Sequence, residues 1–143
     1  MRIEPADDSV FRERCRWRYD PPYDFYDDEG PENNPERCFA ARDDDDGRLV
    51  GFYEFEPQGE VLVYGLGLRP DCTGRGLGEQ FVRAGLEFAR EVYAPRRVVL
   101  AVAAFNVRAI RVYRRLGFTE TGRHVRTFER YGAVEFVDME KRA

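Results

Sequence analysis

Three glycines at alternate positions, Gly74-Arg75-Gly76-Leu77-Gly78, stand between an apolar, branched run and a helical pattern. No other feature constrains the chain as strongly. Glycine permits positive φ and close backbone approach, so a strand ending near Leu68 can turn sharply and aim successive amides at one point. The helix that follows adds its unpaired N–H groups and positive dipole end, an arrangement suited to a phosphate. The loop is not a Walker A motif, because no Gly-Lys-Ser/Thr follows. It is not a dinucleotide fingerprint either, since its third glycine comes one residue too early. A plain glycine-rich turn before a helix stays open as the alternative.

Around this pivot the apolar periodicity sets out a series of elements. Asp7 or Ser9 caps a short helix running to Arg16, with Val10 and Phe11 inward. Strands are expected over residues 38–42, 49–56 and 61–68, joined by the Asp43 to Gly47 and Pro57-Gln58-Gly59 turns. A helix runs from the glycine loop to about Tyr93, with Leu77, Phe81, Ala84, Leu86 or Phe88, and Val92 near helical spacing. A branched strand over 98–103 leads to a helix capped by Asn106. Ala109, Ile110, Tyr113 and Leu116 make its inner face, and Gly117 supplies the stop. Strands over 118–128 and 133–139 close the chain. This order predicts an α/β (α+β) layer sandwich with a mixed, mostly antiparallel sheet flanked by helices. At 143 residues the chain reads as one domain, 1–143, long enough for a core without disulfide or metal.

Charge divides the chain. Residues 1–46 hold 15 acids and 7 bases, and the remainder 12 acids and 16 bases, for a net charge of -4 overall. With a pI near 5.2, a general nucleic-acid partner is not expected. Mean hydropathy is -0.62 and no apolar run approaches the roughly 20 residues of a membrane span. No apolar leader with a small-residue cleavage site is visible, so a cytoplasmic location is expected. Cys15, Cys38 and Cys72 are odd in number and form no C-x-x-C pair, which supports neither a disulfide framework nor a metal site.

A second motif lies downstream: Leu100-Ala101-Val102-Ala103-Ala104-Phe105-Asn106-Val107-Arg108-Ala109-Ile110-Arg111-Val112-Tyr113-Arg114-Arg115-Leu116-Gly117-Phe118. Joined in order to the loop after Leu68-Arg69-Pro70, its Asn-x-x-Ala-Ile-x-x-Tyr-x-x-x-Gly-Phe pattern resembles the Gcn5-related N-acetyltransferase (GNAT) family over about residues 47–139. The resemblance implies that family's fold and an acetyl-CoA-dependent N-acetyltransferase. It places the cofactor-binding core in 47–143 and an acidic, aromatic acceptor-side segment in 1–46. It implies that the strand at Leu66 and Leu68 pairs its backbone with the pantetheine arm. It also implies that amides of Thr73, Gly74, Arg75, Gly76, Leu77 and Gly78 hold the pyrophosphate, with Thr73 standing where the family most often has Arg or Gln. Asn106 and Tyr113 match family positions that contact the cofactor and face its sulfur. Gly65 and Gly67 suit a bulge and a close approach by ligand.

The chemistry gives these residues roles. An amine attacking a thioester expels a thiolate, and the Tyr113 phenol is suited to donate the proton. A proton must also leave the amine. Glu54, flanked by aromatics, is the favoured base, with Glu56, Glu60 and His124 as alternatives. Glu60 is expected to begin the third strand on the face of Tyr64, Leu66 and Leu68, and His124 to be exposed in a basic hairpin. Trp17, Tyr23 and Tyr26 belong to an aromatic, acidic run suited to a cationic amine. The reading is direct acetyl transfer from acetyl-CoA to a primary amine of a small molecule or peptide, with no metal; a homodimer is left open. A non-catalytic acyl-CoA-binding module or sensor, and an enzyme using another acyl-CoA, are the rivals.

Overall fold

The computed structural model describes residues 1–27, 35–73 and 76–143. Gly74 and Arg75, two of the expected loop residues, lie outside the described residues. Seven strands and three α-helices are described: β1 (Arg2–Pro5), α1 (Asp8–Arg14), β2 (Cys38–Arg42), β3 (Leu49–Gln58), β4 (Val61–Leu68), α2 (Leu77–Tyr93), β5 (Arg97–Ala103), α3 (Val107–Arg115), β6 (Thr119–Phe128) and β7 (Gly132–Arg142). The strands form one sheet in the order β1-β2-β3-β4-β5-β7-β6, antiparallel throughout except for the β4–β5 pair. The predicted layer class therefore holds.

Alternation along β3 divides the two faces of the sheet. Gly51, Tyr53 and Phe55 are buried on one face with partly exposed residues between them, and the register shift that sets Arg42 opposite Leu49 turns the buried Leu49 to the other face. Tyr53 and Phe55 join Tyr64 and Phe81 in a stacked aromatic core, and Ile110, Tyr113 and Phe118 extend it under α3. On the opposite face, Val10 of α1 packs with Trp17, Ala40 and Leu49, and Phe52 lies against them. Asp7 caps α1 by accepting from the Ser9 and Val10 amides, as the sequence predicts.

Helix α2 departs from the expected stripe. Leu77 and Val92 are exposed, and the buried positions are Phe81, Val82, Gly85 and Ala89. The cause is Gly85. Its missing side chain lets α2 settle on Tyr53 and Tyr64, whose hydroxyls donate to the carbonyls of Phe81 (2.6 Å) and Val82 (3.0 Å). A Cβ at Gly85 would collide with the Tyr64 hydroxyl and the Tyr53 ring. Gly85→Val is expected to lower stability by roughly 1–3 kcal/mol through overpacking, read as a lower urea midpoint at unchanged m-value.

Two further expectations are corrected. β3 and β4 pair in unbroken register from Gly51↔Leu68 to Gln58↔Val61, so Gly65 and Gly67 form no bulge there. Gly67 instead makes room for the Phe52 ring, which a Cβ would strike. Glu60 lies in the turn before β4 rather than on the strand, 3.4 Å from Arg96, so it shares no strand face with Tyr64.

Candidate active site

The sheet comes apart where β4 meets β5. Their parallel register runs only from Val61↔Arg97 to Val63↔Val99, while β5 stays paired with β7 along its whole length. Beyond Val63 the two strands diverge. The gap opens into a cleft of about 1140 Å³ walled by residues 64–68 on one side and 100–103 on the other.

The edge of β4 facing this cleft has a definite polarity. Arg69 donates its N–H to Val50 O at 2.7 Å, which places pairs 52/67 and 54/65 in the hydrogen-bonded positions of the ladder. Antiparallel alternation then turns the N–H and C=O of Tyr64, Leu66 and Leu68 away from β3, toward the cleft. In keeping with this, the Tyr19 hydroxyl donates to Leu68 O at 2.7 Å. The two leucines named from sequence thus present backbone groups along one wall.

The start of α2 lies at one end of the cleft. Gly76 has φ +74° and is the N-cap of α2, with no side-chain cap on the helix. A Cβ at Gly76 or Gly78 would meet nothing within 4 Å, and both glycines line the cleft at the start of α2. Thr73, Gly76, Gly78 and Glu79 line it, whereas Leu77 is exposed outside. The Thr73 hydroxyl donates back to Pro70 O at 2.6 Å and so fastens the turn.

On the opposite wall, α3 begins with Asn106. Its Oδ1 accepts from the Ala109 amide (3.2 Å), and its Nδ2 donates to the Tyr26 hydroxyl (3.1 Å). The cap and the link to the N-terminal segment come from one side chain. Tyr113, two turns on, is 8% exposed and lines the cleft. Burial, with Tyr26 adding to it, pushes its phenol pKa above the ordinary value of 10. Its hydroxyl makes no hydrogen bond with the described residues, and the raised pKa keeps the phenol protonated at neutral pH.

The aromatic N-terminal segment spans the cleft. Trp17 stacks on Phe52 at 6.3 Å. The 3-10 turn Tyr23–Tyr26 is pinned by Phe25, which meets Phe105, Phe128 and Tyr131 edge-on at 5.6, 5.0 and 5.1 Å. Trp17, Tyr23 and Tyr26 all line the cleft. Asp20, Asp24 and Asp27 do not; Asp27 accepts from the Tyr19 amide at 2.9 Å. The charged residues that do line the cleft, among those described, are Arg14, Arg108, Arg111, Arg115 and Glu79.

Glu54 stands at the rim. It does not line the cleft itself, but its Oε2 lies 3.7 Å from where a Gly65 Cβ would be, and Arg14 Nη2 is 3.8 Å from its Oε1. Arg14 is buried with its guanidinium carbon 3.5 Å from the Phe52 centroid. His124 is half-buried rather than exposed: its Nδ1 is 2.9 Å from Asp138, Nε2 accepts from Arg126, and its ring stacks on Phe136. Sequence reasoning did not single out Arg14, Tyr19 or the α3 arginines. Only the last carried a legible signal, the spacing of Arg108, Arg111 and Arg115 on one helical stripe.

A layered sheet parted between two parallel strands, with a glycine turn at the split, defines the GNAT class of α/β fold. A model of the acetyltransferase (GNAT) family matches residues 5–118, and the chain belongs to that family. It is 39% identical over 100 residues to a mycothiol acetyltransferase of Mycobacterium avium (strain 104), covering 60% of this chain and 32% of that one. The chain spans about a third of the length of such curated relatives. A chimera of the spermidine N-acetyltransferase SpeG from Vibrio cholerae and hSSAT superposes with a TM-score of 0.75 at 20% identity, over 99% of this chain and 94% of that one. Spermidine N-acetyltransferase from Vibrio cholerae, crystallised with CoA and spermine, gives 0.64 at 21% identity over 72% and 63% of the respective chains. At these identities the two structures speak for the fold.

Proposed function

We propose that this chain is an acetyl-CoA-dependent N-acetyltransferase that passes an acetyl group directly to a primary amine of a small molecule or peptide. The observation that carries the reading is the released edge of β4, which shares one cleft with the Tyr113 hydroxyl. Acetyl-CoA supplies a thioester whose acyl carbon is electrophilic and whose sulfur leaves. The residues suit such a ligand. Backbone groups of Leu66 and Leu68 offer hydrogen bonds to an amide-bearing arm, and the amides at Gly76 and Gly78 offer a cradle for pyrophosphate. Thr73, Leu77 and the loop residues Gly74 and Arg75 belong to the same proposed cradle, and Asn106 positions the start of α3.

Tyr113 holds its proton on Oη until a departing thiolate takes it. Glu54, beside Gly65, is the proposed acceptor of the amine proton, reached through water. Trp17, Tyr23 and Tyr26 form the proposed acceptor wall within the segment 1–46, and 47–143 forms the cofactor side of a single unit. The acids of that segment do not line the cleft, and the charge of a cationic amine is proposed to be met by the aromatic faces of Trp17, Tyr23 and Tyr26. The crystallised relative that holds spermine, a polyamine, is in keeping with an amine acceptor.

Two measurements test the reading. Acetyl-CoA at about 100 times its Kd is expected to add ~2.7 kcal/mol of stability, seen as a raised Tm. No rise at saturating ligand overturns the reading. A panel of polyamines, amino acids, aminoglycosides and peptide N-termini is then expected to release free CoA thiol with at least one member. A raised Tm with no thiol released by any amine supports a non-catalytic binding module instead.

A further inference from the structure

The charges of helix α3 depart in part from the electrostatic rules for helices. Its nine residues include Arg108, Arg111, Arg114 and Arg115 and no acid. Arg108 sits in the first turn, where the positive end of the helix dipole favours carboxylates. Arg111 and Arg115 are four apart, the spacing at which like charges repel. Arg114 and Arg115, in the last turn, suit the negative end of the dipole, but Arg108 and the Arg111/Arg115 spacing do not, and such local departures are expected where a surface serves a function.

Three of these arginines share a surface. Arg108, Arg111 and Arg115 all line the cleft, and Arg114 does not. Spacings of three and four put them in one stripe along the helix. At one end the Arg108 guanidinium carbon lies 4.4 Å from the Tyr23 ring centroid. At the other, Arg115 Nε lies 3.3 Å from Glu79 Oε1, in the first turn of α2. The stripe therefore runs from the aromatic wall to the first turn of α2. Arg111, between them, makes no ion pair with the described residues. Glu79 engages Arg115 through Nε and leaves its Nη edge without a hydrogen-bond partner among the described residues.

The cofactor proposed above carries two separate anionic groups. The pyrophosphate is matched by backbone amides at the start of α2. The phosphomonoester on the ribose 3′ oxygen has no such cradle and calls for side-chain cations, for which the planar guanidinium fork is well shaped. We propose that Arg111 and Arg115 bind the 3′-phosphate of CoA, with Glu79 holding Arg115 against the cleft wall. This rests on the acetyl-CoA reading and goes beyond it, because it makes α3 the element that distinguishes CoA from its dephosphorylated form.

Calorimetric titration with CoA and with dephospho-CoA tests the proposal on the protein itself, on Arg111→Gln, on Arg115→Gln and on Arg114→Gln. The native chain is expected to bind CoA about tenfold or more tighter than dephospho-CoA. Arg111→Gln and Arg115→Gln are each expected to weaken CoA by roughly tenfold while leaving dephospho-CoA within about twofold. Arg114→Gln removes the same charge from the same helix outside the cleft and is expected to change neither by more than about twofold. Equal affinity of the native chain for the two ligands overturns the proposal and leaves the CoA reading standing. An effect of Arg114→Gln equal to that of Arg111→Gln also overturns it, since the field of the helix rather than a site would then be responsible. Binding of neither ligand removes the CoA reading and this inference with it.

Discussion

Replacing Tyr113 with Phe is expected to lower kcat for acetyl transfer by about 100-fold while CoA affinity stays within roughly threefold. The phenol projects from the buried face of α3 into the cleft, and its ring packs edge-on against Phe118 at 5.7 Å. Phe keeps that packing and removes only the hydroxyl, so a fall in kcat isolates the proton donor. The pH dependence follows from burial. The folded-state pKa of Tyr113 lies above the ordinary 10, so the donating form persists as pH rises through 10. The rate is therefore expected to climb with pH as the acceptor amine loses its proton, without an alkaline fall from Tyr113 below pH 10. The same burial has a stability consequence. Tyr53, Tyr64 and Tyr113 all have raised values, so their contribution is complete below pH 10 and is lost above it, where unfolded tyrosines ionise first. Full activity of Tyr113→Phe across this range would show that the leaving group takes its proton elsewhere.

What the sequence disclosed depended on how local the signal was. The spans of β2 and β4 were legible to the residue, because alternation ran up to turn-forming Asp, Gly and Pro on both sides. The Asn106 cap and the Gly117 stop, at φ +100°, were legible for the same reason. β1 was not. Four residues ending in Pro5 carry too little pattern, and they form a strand only because β2 offers them an edge. Strand order was equally hidden. The insertion of β7 between β5 and β6, and the parting of β4 from β5, arise from long-range pairing that no window of sequence contains. The same limit applied to the site. The loop, Asn106 and Tyr113 formed motifs, but the direction in which Glu54 and Asp20, Asp24 and Asp27 point follows from tertiary packing. The division of charge between the two parts of the chain did not translate into an acidic cleft wall, because Arg14 of α1 and Arg108, Arg111 and Arg115 of α3 line the cleft and these aspartates do not.

The strand edge that carries the functional reading is testable one residue at a time. In the β3–β4 ladder the Gly65 amide faces β3 opposite Glu54, whereas the Leu66 amide faces the cleft. Proline removes an N–H, so its effect depends on which way that N–H points. Gly65→Pro is expected to break a ladder hydrogen bond and to lower stability by about 1–3 kcal/mol, read by urea denaturation. Leu66→Pro leaves that ladder intact and removes a donor from the cleft wall. It is expected to fold, with a modest loss from the missing leucine packing, and to bind CoA at least tenfold more weakly. Leu66→Ala keeps the amide and loses the same side chain, so it separates the two causes and is expected to bind within about threefold of the native chain. If Leu66→Pro folds and binds CoA as the native chain does, the released edge of β4 is not what receives the ligand. If Leu66→Ala binds as weakly as Leu66→Pro, the leucine side chain rather than the strand edge makes the contact. Only a loss confined to the proline variant is consistent with a ligand that completes the sheet where β5 turns away.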